Sequence, residues 1–209
     1  MPQFDYPYIA ISMTVLIVSL SFHEAAHAWA ADKLGDPTAR LLGRLTLNPL
    51  AHIDWIGTVL FPLIAMTSGF PLIGWAKPVP VNGNNLKAPR RDFAFVALAG
   101  PVSNLVLAAV GAALLMGVDG VGFKTGEVPV AFLSVFILTN VLLAVFNMIP
   151  LPPLDGGNVL AGILPEPLAR LIDLMRPYGF ILLYVLMLTG VLTTIMRPII
   201  RAIRLWLPI

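Results

Sequence analysis

The sequence contains no cysteine and only three histidines, and charged residues make up 11% of its 209 positions. The first absence excludes disulfides and every thiolate metal site. A transition metal in this chain must be held by His, Asp or Glu. The shortage of charge excludes an ordinary soluble domain, which is about one-quarter charged. With 58% hydrophobic residues, most of the surface has to face lipid. A formal net charge of +2 is too small to argue for nucleic acid, so none is expected as a partner. Internal repeats, low-complexity linkers and long polar stretches are also missing. Residues 1–209 therefore read as a single membrane-embedded domain in a lipid bilayer.

What is present is a series of apolar runs. Tyr8–Ala31 as a helix is about 36 Å long, enough to span. Ala28-Trp29-Ala30 resembles a signal-peptide cleavage site, but no Lys or Arg precedes the run, so it reads as retained. Phe93–Val118, rich in Ala and Gly, is a second span whose packing face can approach a neighbour closely. Pro129–Ile149 is a third and Tyr178–Met196 a fourth. A tail with Arg197, Arg201 and Arg204 follows. Between the first two spans, Thr38–Leu47 alternates loosely, as short strands do. Trp55–Trp75 is apolar but interrupted by Pro62, Gly69, Pro71 and Gly74, the pattern of a broken or re-entrant segment. Lys77–Val81 must be extended, because each proline disfavours helix at the residue before it. The fold class expected is an all-α polytopic membrane protein. It has about four transmembrane helices and a re-entrant or short-strand segment between the first two.

Loops 32–54 and 77–92 are basic, and 119–127 is nearly neutral. The positive-inside rule places both basic loops in the cytoplasm if 55–75 is re-entrant, with the N-terminus outside. The arginine-bearing tail then lies outside, against the rule. An interfacial helix at 197–207 softens that conflict.

His23-Glu24-Ala25-Ala26-His27 is the H-E-x-x-H pattern. Residues four apart share a helix face, so both imidazoles can reach one zinc ion and Glu24 can act as the base. At membrane depth such polar groups cost of order a few kcal/mol each unless partnered, which favours function over chance. Zinc needs a third protein ligand. Asp155 follows the third span in Asn147-Met-Ile-Pro-Leu-Pro-Pro-Leu-Asp-Gly-Gly157. There, Pro150, Pro152 and Pro153 enforce an extended path, and Gly156 and Gly157 permit a tight turn. The alternative is a loop aspartate capping a helix that starts near Asn158. His52 and Asp54 are the competing ligands, although a loop histidine of this kind is more often structural. Gly100 and Pro101 read mainly as packing and kink positions.

These stretches resemble the site-2 protease family of intramembrane zinc metalloproteases, peptidase family M50. The likeness rests on H-E-A-A-H in the first span, Ala99-Gly-Pro-Val-Ser-Asn104 in the second and Asn147–Gly157 after the third. Gly43-Arg-Leu-Thr-Leu-Asn-Pro49, His52-Ile-Asp54 and Gly74-Trp-Ala-Lys-Pro-Val-Pro-Val-Asn82 are similar to a compact prokaryotic branch. The resemblance implies one Zn2+ held by His23, His27 and Asp155, with Glu24 as catalytic base and Asn147 beside the site. Asn147 there has two readings, a donor to substrate or oxyanion and a hydrogen bond between helices. The resemblance further implies a prokaryotic cell membrane, a site in the cytoplasmic half of the bilayer and transmembrane-segment peptides as substrates. Relatives that carry PDZ or CBS domains filter substrates with them, and 209 residues leave room for neither. The extended Lys77–Asn82 segment is a candidate edge for strand-type bonds to an unwound substrate. The rival readings are a membrane zinc transporter or sensor, which needs no base at Glu24, and an inactive relative that only binds transmembrane segments.

Overall fold

A computed structural model describes residues 6–68, 74–120 and 127–207. Among the described residues, four helices are long and apolar enough to cross a membrane: Tyr6–Leu34, Pro89–Gly117, Val128–Asn147 and Glu166–Leu188. The chain is a multi-pass, all-α membrane protein.

The first long helix, α1 (Tyr6–Leu34), is apolar along most of its length and buries His23, Glu24 and His27. The second long helix, α4 (Pro89–Gly120), is central and packs on α1, on α5 (Val128–Asn147) and on α6 (Asp155–Ile163). Small residues bring these helices together. A Cβ at Gly162 of α6 would lie 2.3 Å from Ala94 Cβ on α4. One at Gly111 of α4 would meet the Phe136 ring of α5 at 2.9 Å. In a bilayer, where the lipid tails are as apolar as the side chains, close packing of this kind drives helix association.

The chain between α1 and α4 contains no strand among the described residues, which corrects the short-strand expectation for Thr38–Leu47. Thr38–Leu41 is instead a helical turn, α2. Gly43 ends it at φ +70°, and Arg44 N–H returns to the Ala39 carbonyl. The backbone beyond is bonded to side chains and has no partner strand: Asn48 N–H donates to Thr46 Oγ1, and His52 Nε2 to the Thr46 carbonyl. A π-helical turn at Trp55–Leu60, capped by Asp54, leads into α3 (Phe61–Ser68). Gly69 and Pro71, part of the expected break, lie outside the described residues. Beyond them the chain returns to its starting point, where Trp75 N–H donates to the Gly57 carbonyl at 3.2 Å. Residues 75–81 form neither helix nor strand, in keeping with their prolines. Most of the loop 119–127 is also outside the described residues.

The fourth span differs from the expected Tyr178–Met196. It is assembled from α7 (Glu166–Met175), a 3-10 turn and α8 (Gly179–Leu188). Gly190, at φ +74°, then breaks the helix, a conformation that glycine adopts without steric cost. The last helix, α9 (Val191–Trp206), is separate. It turns Met196 and Ile203 toward the bundle and leaves Arg197, Arg201 and Arg204 exposed.

Candidate metal centre

His23 and His27 lie on one face of α1, as a four-residue spacing requires. Both are buried, and their Nε2 atoms are 3.0 Å apart. Asp155 reaches them from the far end of the chain, as the first residue of α6. Its Oδ2 lies 3.1 Å from His23 Nε2 and 3.4 Å from His27 Nε2. The carboxylate therefore faces the histidines and caps no helix. Two glycines allow α6 to start directly against the preceding turn. A Cβ at Gly156 would sit 2.4 Å from the Met148 carbonyl oxygen, and one at Gly157 would sit 2.7 Å from the Leu151 carbonyl carbon.

The outer ring nitrogens decide the protonation of the pair. His23 Nδ1 is 2.6 Å from Asn104 Oδ1, and His27 Nδ1 is 2.7 Å from the Val96 carbonyl oxygen. These oxygens only accept, so both Nδ1 atoms carry a proton, and each Nε2 is the nitrogen left to offer a lone pair to a metal. Asp155 Oδ2 is buried without a hydrogen-bond partner. Three potential ligand atoms thus converge, an arrangement that a cation stabilises. Tetrahedral zinc, with bonds of about 2.0–2.1 Å, has ligand–ligand edges of about 3.3 Å, close to the three separations found here. The donor atoms of His23, His27 and Asp155 all lie within 4.8 Å of one another.

Glu24 is buried beside the pair, and its Oε2 accepts a 3.2 Å hydrogen bond from Val79 N–H. Arg44 is buried in the following loop. Burial pushes its pKa below the usual arginine value, and the Glu24 charge opposes that shift. His52 and Asp54 are not brought to the triad. His52 Nε2 donates to the Thr46 carbonyl at 2.8 Å, and Asp54 Oδ1 accepts from Ile56 and Gly57 N–H at 3.0 and 2.8 Å. Asn147 is half-buried at the end of α5, where its Nδ2 donates back to the Leu143 carbonyl at 2.9 Å.

The Peptidase family M50 model matches residues 11–189 of this chain. The chain belongs to that family. Among the relatives of this M50 chain, the Bacillus subtilis (strain 168) protein named "Putative zinc metalloprotease YwhC" is 41% identical over 202 residues. That match covers 94% of this chain and 87% of the relative. The Rip2 protein of Mycolicibacterium smegmatis, which carries the same description, is 31% identical over 88% of this chain and 70% of its own length. Rip2 of Mycobacterium tuberculosis H37Rv is 32% identical over 84% of this chain and 66% of its own length. No solved structure matches.

Two groups of residues in this M50 site carry roles that their sequence positions did not reveal. Behind His23, Asn104 Nδ2 donates to Asn140 Oδ1 at 2.8 Å and to the Ser19 carbonyl at 3.3 Å. Asn140 Nδ2 donates in turn to Ser19 Oγ and to the Phe136 carbonyl, both at 2.9 Å. These bonds fix the Asn104 amide with its oxygen toward His23. The available sequence signal was an asparagine in the middle of each of two apolar spans, where an unsatisfied amide is costly. The second group is Gly100, which does more than pack helices. A Cβ there would lie 2.4 Å from His27 Nε2.

Proposed function

We propose that this M50 chain is an intramembrane zinc metalloendopeptidase that hydrolyses peptide bonds in or near transmembrane segments of membrane-protein substrates. The observation that carries this reading is the convergence of two histidine lone pairs and one unpartnered carboxylate oxygen beside a buried glutamate. His23, His27 and Asp155 would hold one zinc ion. When bound, zinc supplies Lewis acidity toward water and a peptide carbonyl. Glu24 takes the proton from the attacking water and returns it to the leaving amine nitrogen. Asn104 and the Val96 carbonyl keep both imidazoles in the metal-facing tautomer. Asn147, which closes α5 just before the turn leading to Asp155, is the candidate donor to a substrate oxygen.

The spans and the burial of the triad among them support a substrate within the bilayer. An apolar groove of about 350 Å3 runs beside the same turn, lined by Leu105, Ala144, Val145, Met148, Ile149 and Pro150. We read 55–75 as re-entrant, because its two ends meet at Gly57 and Trp75. Loops 32–54 and 77–92 then share the cytoplasmic side of the cell membrane, and the site opens toward that half. Regulated intramembrane proteolysis is the process this activity would serve.

The test is Glu24→Gln. The purified variant should retain zinc and lose cleavage, and membrane proteins should accumulate uncut in cells that carry it. Wild-type cleavage by that variant would overturn the assigned base. Zinc movement across the membrane that survives the substitution would favour a transporter instead.

A further inference from the structure

Three sequence motifs supply nothing to the metal-facing triad: Gly43–Pro49, His52–Asp54 and Gly74–Asn82. In the fold they form one assembly. Lys77 N–H donates to the His52 carbonyl at 2.8 Å, and the buried Arg44 guanidinium donates to the Lys77 carbonyl. On one side of Lys77, Thr58 Oγ1 donates to the Trp75 carbonyl at 2.8 Å. On the other side, Asn82 N–H donates to Asp36 Oδ2 at 2.6 Å. Between these anchors, Val79 N–H meets Glu24 Oε2.

We propose that this assembly is a clamp that positions the general base, with the Val79 amide and Arg44 as its positioning groups. The proposal rests on the reading of Glu24 as the base. A glutamate side chain has three rotatable bonds, and misplacing a reacting group by about 1 Å can cost about 100-fold in rate. Holding one carboxylate oxygen with a neutral N–H fixes its direction and leaves the other oxygen free to take a proton. A guanidinium bonded directly to Glu24 would also fix it, but would make the carboxylate a weaker base. The structure instead places Arg44 on the Lys77 carbonyl, one step removed.

The prolines make the clamp stiff. Pro78 and Pro80 have fixed φ, and each restricts the residue before it, Lys77 and Val79, to extended backbone. The direction of the Val79 N–H is therefore set by backbone with little freedom left. Pro78 and Pro80 carry no N–H, and the amides of Lys77, Val79 and Asn82 are bonded within the chain. The segment therefore has few donors left for an added strand, and its main role is toward Glu24.

Val79→Pro tests this directly, because it removes the amide hydrogen yet suits an extended chain, while Val79→Ala keeps the hydrogen and trims only the side chain. The readouts are zinc content and the kcat and KM for a fluorogenic transmembrane-segment peptide that the wild type cleaves. Val79→Pro should bind zinc as the wild type does and lose about 10–100-fold in kcat with KM little changed. Val79→Ala should stay within about twofold of the wild type. Arg44→Gln should lower kcat with zinc retained, and Arg44→Lys, which can still donate to the Lys77 carbonyl, should recover part of it. This second pair decides the matter if Val79→Pro does not fold. Wild-type kcat in both Val79→Pro and Arg44→Gln overturns the clamp even where Glu24→Gln is inactive. Higher kcat would make the segment an inhibitory plug, and zinc loss would make it a support of the metal site; either result overturns the proposal. An active Glu24→Gln variant refutes the base itself, a separate failure.

Discussion

Asn104 and His23 are 81 positions apart in sequence, yet the amide oxygen of the first lies 2.6 Å from Nδ1 of the second. That single contact decides which imidazole nitrogen is turned toward His27 and Asp155. Loss of a partner of this kind typically costs 10–100-fold in metal affinity. Asn104→Leu should therefore weaken zinc binding by about that factor, measured by chelator competition. Asn104→Asp keeps an acceptor toward His23 and should retain more zinc than Asn104→Leu. A merely structural Asn104 predicts the reverse order, since an added buried charge is worse than leucine.

Asp155 supplies the anionic donor of the triad. Asp155→Ala should lose both zinc and activity, and Asp155→Asn should fail too, because a neutral amide cannot offset the metal charge. His52→Ala should keep its zinc. It removes a buried ring bonded to the Thr46 carbonyl, so its cost should appear as lower thermal stability. Metal analysis of the purified variants checks both halves. Zinc kept by Asp155→Ala and lost by His52→Ala would reverse the assignment.

Gly100→Ala adds one methyl group where the His27 ring stands 2.4 Å away. His27 is buried and Gly100 lies on the buried face of α4, so relief of the clash has to move the histidine or the helix against it. Zinc content should fall sharply, although alanine is the better helix former by about 1 kcal/mol. Gly117→Ala on the same helix, with open space around it, is the control and should leave zinc unchanged.

Asp36 is buried just beyond α1. Burial opposes its ionisation, but bonds from Thr38, Asn85 and Asn82 outweigh that and hold its pKa below the usual carboxylate range. A depressed folded-state pKa means that the unfolded chain binds the proton first. The stabilisation is thus present above the ordinary carboxylate range and is lost as pH falls through the lower folded value. Thermal melting in detergent should show the wild type losing stability on acidification more steeply than Asp36→Asn.

Topology is checked by single cysteines in a chain that has none of its own. Lys87→Cys and Glu127→Cys, both at exposed positions flanking α4, should label from opposite sides of the membrane. Labelling from the same side would remove the span between them.

Much of the membrane bundle was legible because the bilayer imposes a length and composition rule on each crossing. The first three spans fall within four residues of where hydropathy placed them, as Tyr6–Leu34, Pro89–Gly120 and Val128–Asn147. The fourth was misplaced because hydropathy continues across Thr189 and Gly190, whereas the helix ends where Gly190 takes a left-handed conformation. The alternation in Thr38–Leu47 suggested strands, but a strand needs a partner. In the fold, Arg44 N–H instead donates to the Ala39 carbonyl, and the Thr46 carbonyl accepts from His52 Nε2.

By itself the sequence determined the chemistry that local spacing controls. The absence of cysteine is a matter of composition, and the helical spacing of His23 and His27 around Glu24 and the Pro/Gly setting of Asp155 are properties of short stretches. Tertiary structure alone decided what closes that chemistry into a site. Asn104 behind His23, Gly100 against His27 and the Val79 amide on Glu24 come from segments tens of residues away. They meet only because α4 packs against α1 and because the proline segment folds back over α1. Local propensity carries no record of such contacts, since the free energy that selects them arises when separate helices close on one another.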